Sequence, residues 1–141
     1  MKTKLVLAGI VIIIIALVGF STSLYLRSLD YSNKTKHETD KWAVIEDSKG
    51  NIMAVETVNP NVWRTLLNLL NNQTEIWIGG IVEEYDSHWG FRFKPDTIVV
   101  AQITIEGAQS NIQGISGDLN YWINIWDKEA YVLAIVVEIH E

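Results

Sequence analysis

The stretch Leu5–Leu26, LVLAGIVIIIIALVGFSTSLYL, decides how the rest of the sequence is interpreted. It contains no charged residue, and a helix of this length rises roughly 33 Å at about 1.5 Å per residue. That length is enough to cross the hydrocarbon core of a bilayer. The sequence therefore predicts a membrane anchor over residues 1–27, with a tethered domain behind it.

The charges that flank this stretch predict its orientation. Lys2 and Lys4 precede it and Arg27 follows it, and by the positive-inside tendency the amino end stays in the cytoplasm. The predicted localisation is the cell membrane, single-pass, with the C-terminal domain outside the cytoplasm. Two alternatives stay open. One is a cleaved signal peptide, although the apolar core of about 16 residues is long for one. The other is a pilin-like filament subunit assembled through its N-terminal helix.

Residues 28–41, SLDYSNKTKHETDK, are polar, mixed in charge and without a helical or strand period. This composition is typical of a flexible stalk. An extracytoplasmic globular domain is therefore predicted at 42–141. Two Asn-x-Thr sequons make Asn33 and Asn72 candidate glycosylation sites.

The composition of the tethered part excludes several classes of function. From Ser28 to Glu141, eight basic residues stand against all 17 acidic ones, a net charge of about −9. Such an acidic chain offers no concentrated basic surface for phosphates, so nucleic acid is not expected as a partner. The absence of cysteine excludes disulfides, thiolate metal sites and cysteine nucleophiles.

Local signals predict a hairpin and then a helix. Trp42–Thr57 contains two apolar runs around Asp47–Gly50, a loop whose glycine suits a positive φ. Asn59 is a natural N-cap and Pro60 fits the first helical turn, where no backbone donor is needed. The apolar residues that follow recur at helical spacing until Asn72, so the helix is expected to lie across a sheet.

Four further segments have strand character. Glu75–Tyr85 is apolar on both faces and contains Gly79-Gly80, which indicates a bulge or a close backbone approach. Trp89–Lys94 alternates between apolar and polar, and Tyr131–Ile139 is apolar enough for a central strand. The clearest period of two runs from Val99 to Glu106. Its predicted inward side chains are Val99, Ala101, Ile103 and Ile105. The predicted fold class is α+β: an N-terminal transmembrane helix, then a small antiparallel sheet with one main helix packed on it.

The densest polar group lies between two predicted strands. Glu83, Asp86 and His88 are candidate ligands for a divalent metal ion, because carboxylates and imidazole bind such ions. The spacing matches no loop with fixed ligand positions, which favours a solvated turn. His37 and His140 lie at the two extremities of the domain, and no G-x-S-x-G nucleophile elbow is present. The sequence predicts neither an enzyme nor a cofactor.

The tryptophans indicate a binding surface. Trp122, Trp126 and Trp89 are candidates for an exposed aromatic patch that contacts a sugar or peptide, since aromatic residues dominate binding hot spots. The competing interpretation is core filling, which the phased position of Trp89 favours. Trp122 and Trp126 lie in a segment whose secondary structure the sequence leaves open.

Residues 44–119 resemble an uncharacterised family of small secreted domains that includes the amino-terminal domain of the slime-mould protein BP-seventy-four. The matching positions are Asn59-Pro60, Ile78–Val82, Trp89–Ile98 and Ile105-Glu106. The resemblance implies a compact α+β domain outside the cytoplasm and no settled activity. Gly107-Ala108 stand where the family has Cys-Asp, so no site is carried over from it.

The function expected from these observations is a membrane-anchored, non-enzymatic interaction module. Its expected partners are the lipid bilayer, through residues 5–26, and a protein or small-molecule ligand. The alternatives are a divalent-metal-binding domain that uses Glu83, Asp86 and His88, and the pilin-like filament subunit.

Overall fold

The computed structural model describes Ile15 and residues 37–141. The strands are β1 (Trp42–Asp47), β2 (Ile52–Glu56), β3 (Ile76–Glu84), β4 (Phe91–Phe93), β5 (Val99–Ala101), β6 (Gln109–Ser110) and β7 (Glu129–His140). The helices are α1 (Pro60–Asn72), α2 (Ile112–Gly117) and a π-helical segment (Tyr121–Trp126).

The strands of the described part form one curled sheet. Its order is β2-β1-β7-β3-β4, with β5 added to β3 and β6 added to β7. All pairs are antiparallel except β6–β7. The two ends of the sheet approach each other, because Trp89 Nε1 donates to Ile52 O at 2.7 Å and Val58 N donates to Pro95 O at 3.3 Å. The result is a near-barrel.

The C-terminal strand β7 is the centre of this sheet. It pairs with β1 on one side and with β3 on the other, which confirms the central strand predicted at Tyr131–Ile139. Its buried core residues are Ala130, Tyr131, Val132, Ala134 and Val136, whereas Leu133, Ile135, Val137 and Ile139 are half-buried. The largest fully buried side chains of the described part are Phe91, Phe93, Ile45, Met53, Leu66, Ile78, Ile112, Ile115, Val55, Val132 and Val136.

The hairpin and the start of the helix agree with the sequence. Gly50 has φ +79 in the β1–β2 loop. Asn59 caps α1 by accepting from the backbone N–H of Asn61, and Pro60 is the first residue of α1. At the other end Gln73 adopts a left-handed conformation, and its Nε2 donates to Val136 O at 3.0 Å, which attaches the helix end to β7.

The paired glycines of β3 mark a close backbone approach, as predicted. A Cβ built on Gly79 would overlap the carbonyl oxygen of Ala130 in β7, and one on Gly80 would lie 2.8 Å from Thr97 Oγ1. Only glycine leaves room for the neighbouring chain at this bend. The close approach of Ala130 and Thr97 to β3 therefore depends on these two residues.

The fold class predicted from the sequence is wrong. Instead of a small sheet with one main helix, the described residues form a mostly antiparallel β near-barrel with small helices. The reason is that closure of a sheet depends on contacts between strands distant in sequence. Here those contacts are the two hydrogen bonds between the regions of β2 and β4, and no local pattern shows them.

The predicted membrane placement also requires correction. Within the part of the chain that the structure describes, no helix is long and apolar enough to cross a membrane. The longest is α1, whose 13 residues span about 20 Å and keep one polar face, whereas a crossing needs about 20 apolar residues. The single-pass membrane localisation is therefore not supported. The predicted anchor Leu5–Leu26, apart from Ile15, lies outside the described residues, as does the helix of the filament hypothesis.

The strand with the clearest predicted period is shorter than expected. Only Val99–Ala101 pairs with β3, and the chain then leaves the sheet. Ile103 and Ile105, which were predicted to point inward, are 86% and 57% exposed. Among the described residues, no strand pairs with the segment that contains Ile103 and Ile105, so its alternating side chains do not form a buried face.

Candidate functional site

A cluster of three aromatic rings lies on the π-helical segment. The rings of Tyr121 and Trp126 are nearly parallel, with centroids 6.4 Å apart and planes inclined by 23°. The helix explains this pairing, because residues five apart are one turn apart in a π-helix. Trp122 stands almost perpendicular to both, at 5.2 Å from Tyr121 and 6.5 Å from Trp126.

The three rings differ in their exposure. Trp122 is only 7% exposed, whereas Tyr121 and Trp126 are half-buried. Trp126 is fixed because its Nε1 donates to Glu129 O at 3.1 Å and its ring edge lies 3.2 Å from where a Cβ of Gly107 would stand. Gly107 has φ +86, so both its conformation and its lack of a side chain suit this position. Trp122 is thus the buried member beneath two accessible rings.

Exposed isoleucines belong to the two segments that meet where Gly107 approaches Trp126. Ile125 precedes Trp126 and is 67% exposed. Ile103 and Ile105 belong to the loop after β5, and a turn with Ala108 N donating to Ile105 O at 3.3 Å leads to Gly107, which contacts Trp126. We call this surface the aromatic patch; its members are Tyr121, Trp122, Trp126, Ile103, Ile105 and Ile125.

Charged side chains surround the aromatic patch. Lys128 Nζ lies 5.3 Å from the ring centroid of Trp126, within the range of a cation–π contact. The exposed acidic residues beside the patch are Asp127, which follows Trp126, Glu106, which precedes Gly107, and Asp118, whose Oδ1 accepts from Tyr121 N at 3.2 Å.

Tyr131 is linked to the aromatic patch through Glu129. Its hydroxyl donates to Glu129 Oε2 at 2.7 Å, and the same glutamate holds Trp126 through its backbone carbonyl. Burial first, and then the hydrogen bond and the negative charge of Glu129, raise the pKa of Tyr131 to about 12. The phenol therefore stays neutral over the whole physiological pH range.

A second aromatic cluster forms where the first described residues meet the end of β7. Trp42 is stacked between His37, at 3.9 Å between centroids, and His140, at 4.5 Å. His37 Nδ1 lies 3.1 Å from Glu56 Oε1, and His140 Nε2 lies 2.7 Å from Glu138 Oε1. We call these three rings the histidine–tryptophan stack. It unites two histidines that the sequence places at opposite extremities of the domain.

Glu56 holds the start of the described chain against β2. It is 5% exposed, and its Oε2 accepts from the backbone N–H groups of Glu38 and Thr39, each at 3.0 Å. Arg92 continues this network by pairing with Glu38 at 3.0 Å and Glu83 at 2.6 Å. Residues that sequence analysis placed in the stalk are thus bound to the domain surface.

The predicted metal candidates do not form a metal site. Glu83 binds Arg92 Nε, while Asp86 and His88 lie in the exposed turn between β3 and β4. Within the described residues, no three histidine, cysteine, aspartate or glutamate side chains are arranged to hold a metal ion.

The structure brings together two of the three predicted tryptophans. Trp122 and Trp126 share the aromatic patch, but Trp122 is buried instead of exposed. Trp89 is half-buried, donates to Ile52 O and contacts His88 edge-on at 4.8 Å. Asn72 is the exposed last residue of α1 and stays a candidate glycosylation site, whereas Asn33 lies outside the described residues.

Sequence reasoning missed Tyr121, Lys128 and the three isoleucines of the aromatic patch. One signal pointed to them: Gly107 ends the alternating pattern directly after Ile105-Glu106, which is typical of a chain leaving a sheet. The spacing of five between Tyr121 and Trp126 was a second signal, because it fits neither an α-helix nor a strand face.

No protein-family model, no curated protein and no solved structure matches this chain. The resemblance to the family of small secreted domains therefore stays a prediction.

Proposed function

We propose that this domain is a non-enzymatic interaction module that binds a segment of a partner protein at its aromatic patch. The observation that carries the proposal is the exposure of Ile103, Ile105 and Ile125 on the two segments that meet at Trp126, which with Tyr121 is half-buried. Exposed isoleucines leave apolar surface in water, and burying each one under a partner would gain about 1.5–3 kcal/mol before the costs of association.

The chemistry of the patch favours a protein segment over a sugar. Sugar recognition combines an aromatic ring with several polar groups that bind hydroxyls, since the polar groups of a ligand need partners when they lose water. Ile125 is next to Trp126 in the sequence, and the segments that meet at Trp126 carry three exposed isoleucines. The ring itself lies near Tyr121, Trp122 and the ammonium group of Lys128. Aliphatic side chains around aromatic anchors are typical of the centre of a protein interface.

The histidines support a non-enzymatic role. His37 is held by Glu56 and His140 by Glu138, both against Trp42, and the ring of His88 contacts Trp89 in an exposed turn. A general base needs its free nitrogen aimed at a substrate proton. His37 and His140, which lie next to carboxylates, are instead packed on the indole ring of Trp42.

The test uses the full chain labelled with 5-fluorotryptophan, whose six tryptophans report on separate regions of the molecule. Short synthetic peptides with leucine at helical spacing are added in basic, neutral and acidic versions. We expect at least one version to shift the fluorine resonance of Trp126 and to leave that of Trp42 unchanged. If no version shifts the Trp126 resonance, the proposal is wrong.

A pair of variants tests the location of the binding surface. Ile103→Ser removes an exposed side chain of the patch, and Val58→Ser removes a side chain that is 64% exposed outside it. We expect the first to weaken peptide binding about tenfold, or about 1.4 kcal/mol, and the second to leave it unchanged. Equal affinities of both variants would contradict the proposal.

A further inference from the structure

We propose that the aromatic patch selects a basic partner segment, one in which lysine or arginine alternates with aliphatic residues. This inference rests on the proposed function and adds the chemical class of the partner. It is carried by the charges around the patch and by the position of Lys128 on Trp126.

The electrostatic field of the domain favours a cationic partner. The chain from Ser28 onward has a net charge of about −9. The two segments that form the patch, residues 103–107 and 118–128, carry three exposed carboxylates, on Glu106, Asp118 and Asp127, and one ammonium group, on Lys128. Charges of one sign around a binding surface attract the opposite sign and repel their own. An acidic segment would meet repulsion from the loop, from the start of the π-helical segment and from its end.

The contact between Lys128 and Trp126 shows where a cation of a partner would bind. The ammonium group of Lys128 lies 5.3 Å from the centre of the Trp126 ring, and the negative face of an indole attracts a positive charge at this distance. The exposed side chain of Lys128 belongs to the linker between the π-helical segment and β7. A lysine or arginine of a partner would take over this contact and displace Lys128 into water.

The aliphatic members of the patch define the rest of the partner. Ile103 and Ile105 come from one loop and Ile125 from the π-helical segment, so both segments that meet at the Trp126 ring carry exposed apolar side chains. Long basic side chains also cover apolar surface with their methylene groups while their charges stay near water. A segment that alternates basic and aliphatic residues can place its basic side chains on the Trp126 ring and its aliphatic side chains on the isoleucines.

The experiment compares the basic, neutral and acidic leucine peptides on the full chain, with the Trp126 fluorine resonance as the readout. We expect the basic version to bind about tenfold more tightly than the neutral one and the acidic version to bind most weakly. The difference in affinity between the basic and neutral peptides is expected to shrink as the salt concentration rises, because salt screens surface charges.

Two lysine variants separate the local contact from the overall charge. Lys128→Ala frees the ring of Trp126, and Lys49→Ala makes the same change of charge in the exposed β1–β2 loop. We expect Lys128→Ala to tighten binding of the basic peptide about threefold. Lys49→Ala is expected to have a smaller effect.

The outcomes distinguish this inference from the proposed function. If the neutral or acidic peptide shifts Trp126 as tightly as the basic one, the patch is a binding surface but the basic partner is wrong. If Lys128→Ala weakens binding, Lys128 anchors an anionic partner and the inference is likewise wrong. If a neutral oligosaccharide shifts Trp126 and no peptide does, both proposals are wrong.

Discussion

The histidine–tryptophan stack and the aromatic patch both place indole rings beside charged groups, yet they use these rings differently. In the stack, both faces of Trp42 are covered by imidazole rings that carboxylates hold in place. Trp42 and Trp126 are both half-buried, but in the patch the ring of Trp126 lies 6.4 Å from its stacking partner Tyr121, and the adjacent Ile125 is exposed. Covered rings contribute to the stability of the fold, whereas accessible rings beside apolar side chains are available to a partner.

The largest expected difference between the two regions is in stability. Trp42→Ala removes a ring packed on both faces, and we expect it to lower the free energy of unfolding by about 3 kcal/mol. Trp126→Ala removes a ring whose stacking partner Tyr121 lies 6.4 Å away, against 3.9 and 4.5 Å for the two rings on Trp42, and is expected to cost less than half of that. Denaturant unfolding of both variants of the full chain measures the difference. Equal losses in the free energy of unfolding would show that Trp126 contributes to stability as much as Trp42 does.

A second test breaks the support of the stack. Glu56→Gln keeps the shape of the side chain, but its amide group cannot accept from His37 and the backbone of Glu38 and Thr39 as a carboxylate does. We expect a loss of about 2 kcal/mol in the free energy of unfolding. Glu75→Gln, at an exposed position, is the control and is expected to change stability by less than about 0.5 kcal/mol.

A third test acts on the support of the patch. Gly107→Ala places a side chain on a residue with φ +86 and against the Trp126 ring, so we expect a cost of about 1 kcal/mol and a shifted Trp126 fluorine resonance. Gly117→Ala is the matched control, because no atom lies within 4 Å of its added Cβ. An unshifted Trp126 resonance in Gly107→Ala would contradict the packing described for the patch.

The smallest effect is expected at Tyr131 and only at high pH. Its pKa is raised to about 12 in the folded chain, above the ordinary value of 10.0. The neutral phenol is therefore favoured by folding, so its contribution to stability is complete below pH 10 and is lost as the pH rises toward 12. We expect Tyr131→Phe to lose less stability than the natural chain between these pH values. Parallel pH dependences of the two proteins would disprove the raised pKa.

Much of the local structure could be predicted from the sequence. The turn at Gly50, the cap at Asn59 and the buried alternation of Phe91 and Phe93 all agree with the structure. Each of these features depends on the conformation of one residue or on the period of a few neighbours. Interactions of this range are encoded locally, so residue type and spacing suffice to predict them.

The candidate site could be predicted only in part. Trp122 and Trp126 were identified by residue type. Ile103 and Ile105, however, were predicted to be buried and are exposed. A period of two shows which residues share a face, and a second layer or strand must cover that face before it becomes core. Whether such a neighbour exists depends on the path of the whole chain.

By itself, the sequence determined the β1–β2 hairpin, the helix α1, the strands β3, β4 and β7 and the acidic charge of the domain, because these properties belong to single residues and their near neighbours. The tertiary structure alone decided that the sheet closes into a near-barrel, that His37 and His140 meet on Trp42, and that the loop after β5 lies beside Trp126. These contacts join residues tens of positions apart. They form only when pairing in the sheet brings distant strands to the same place.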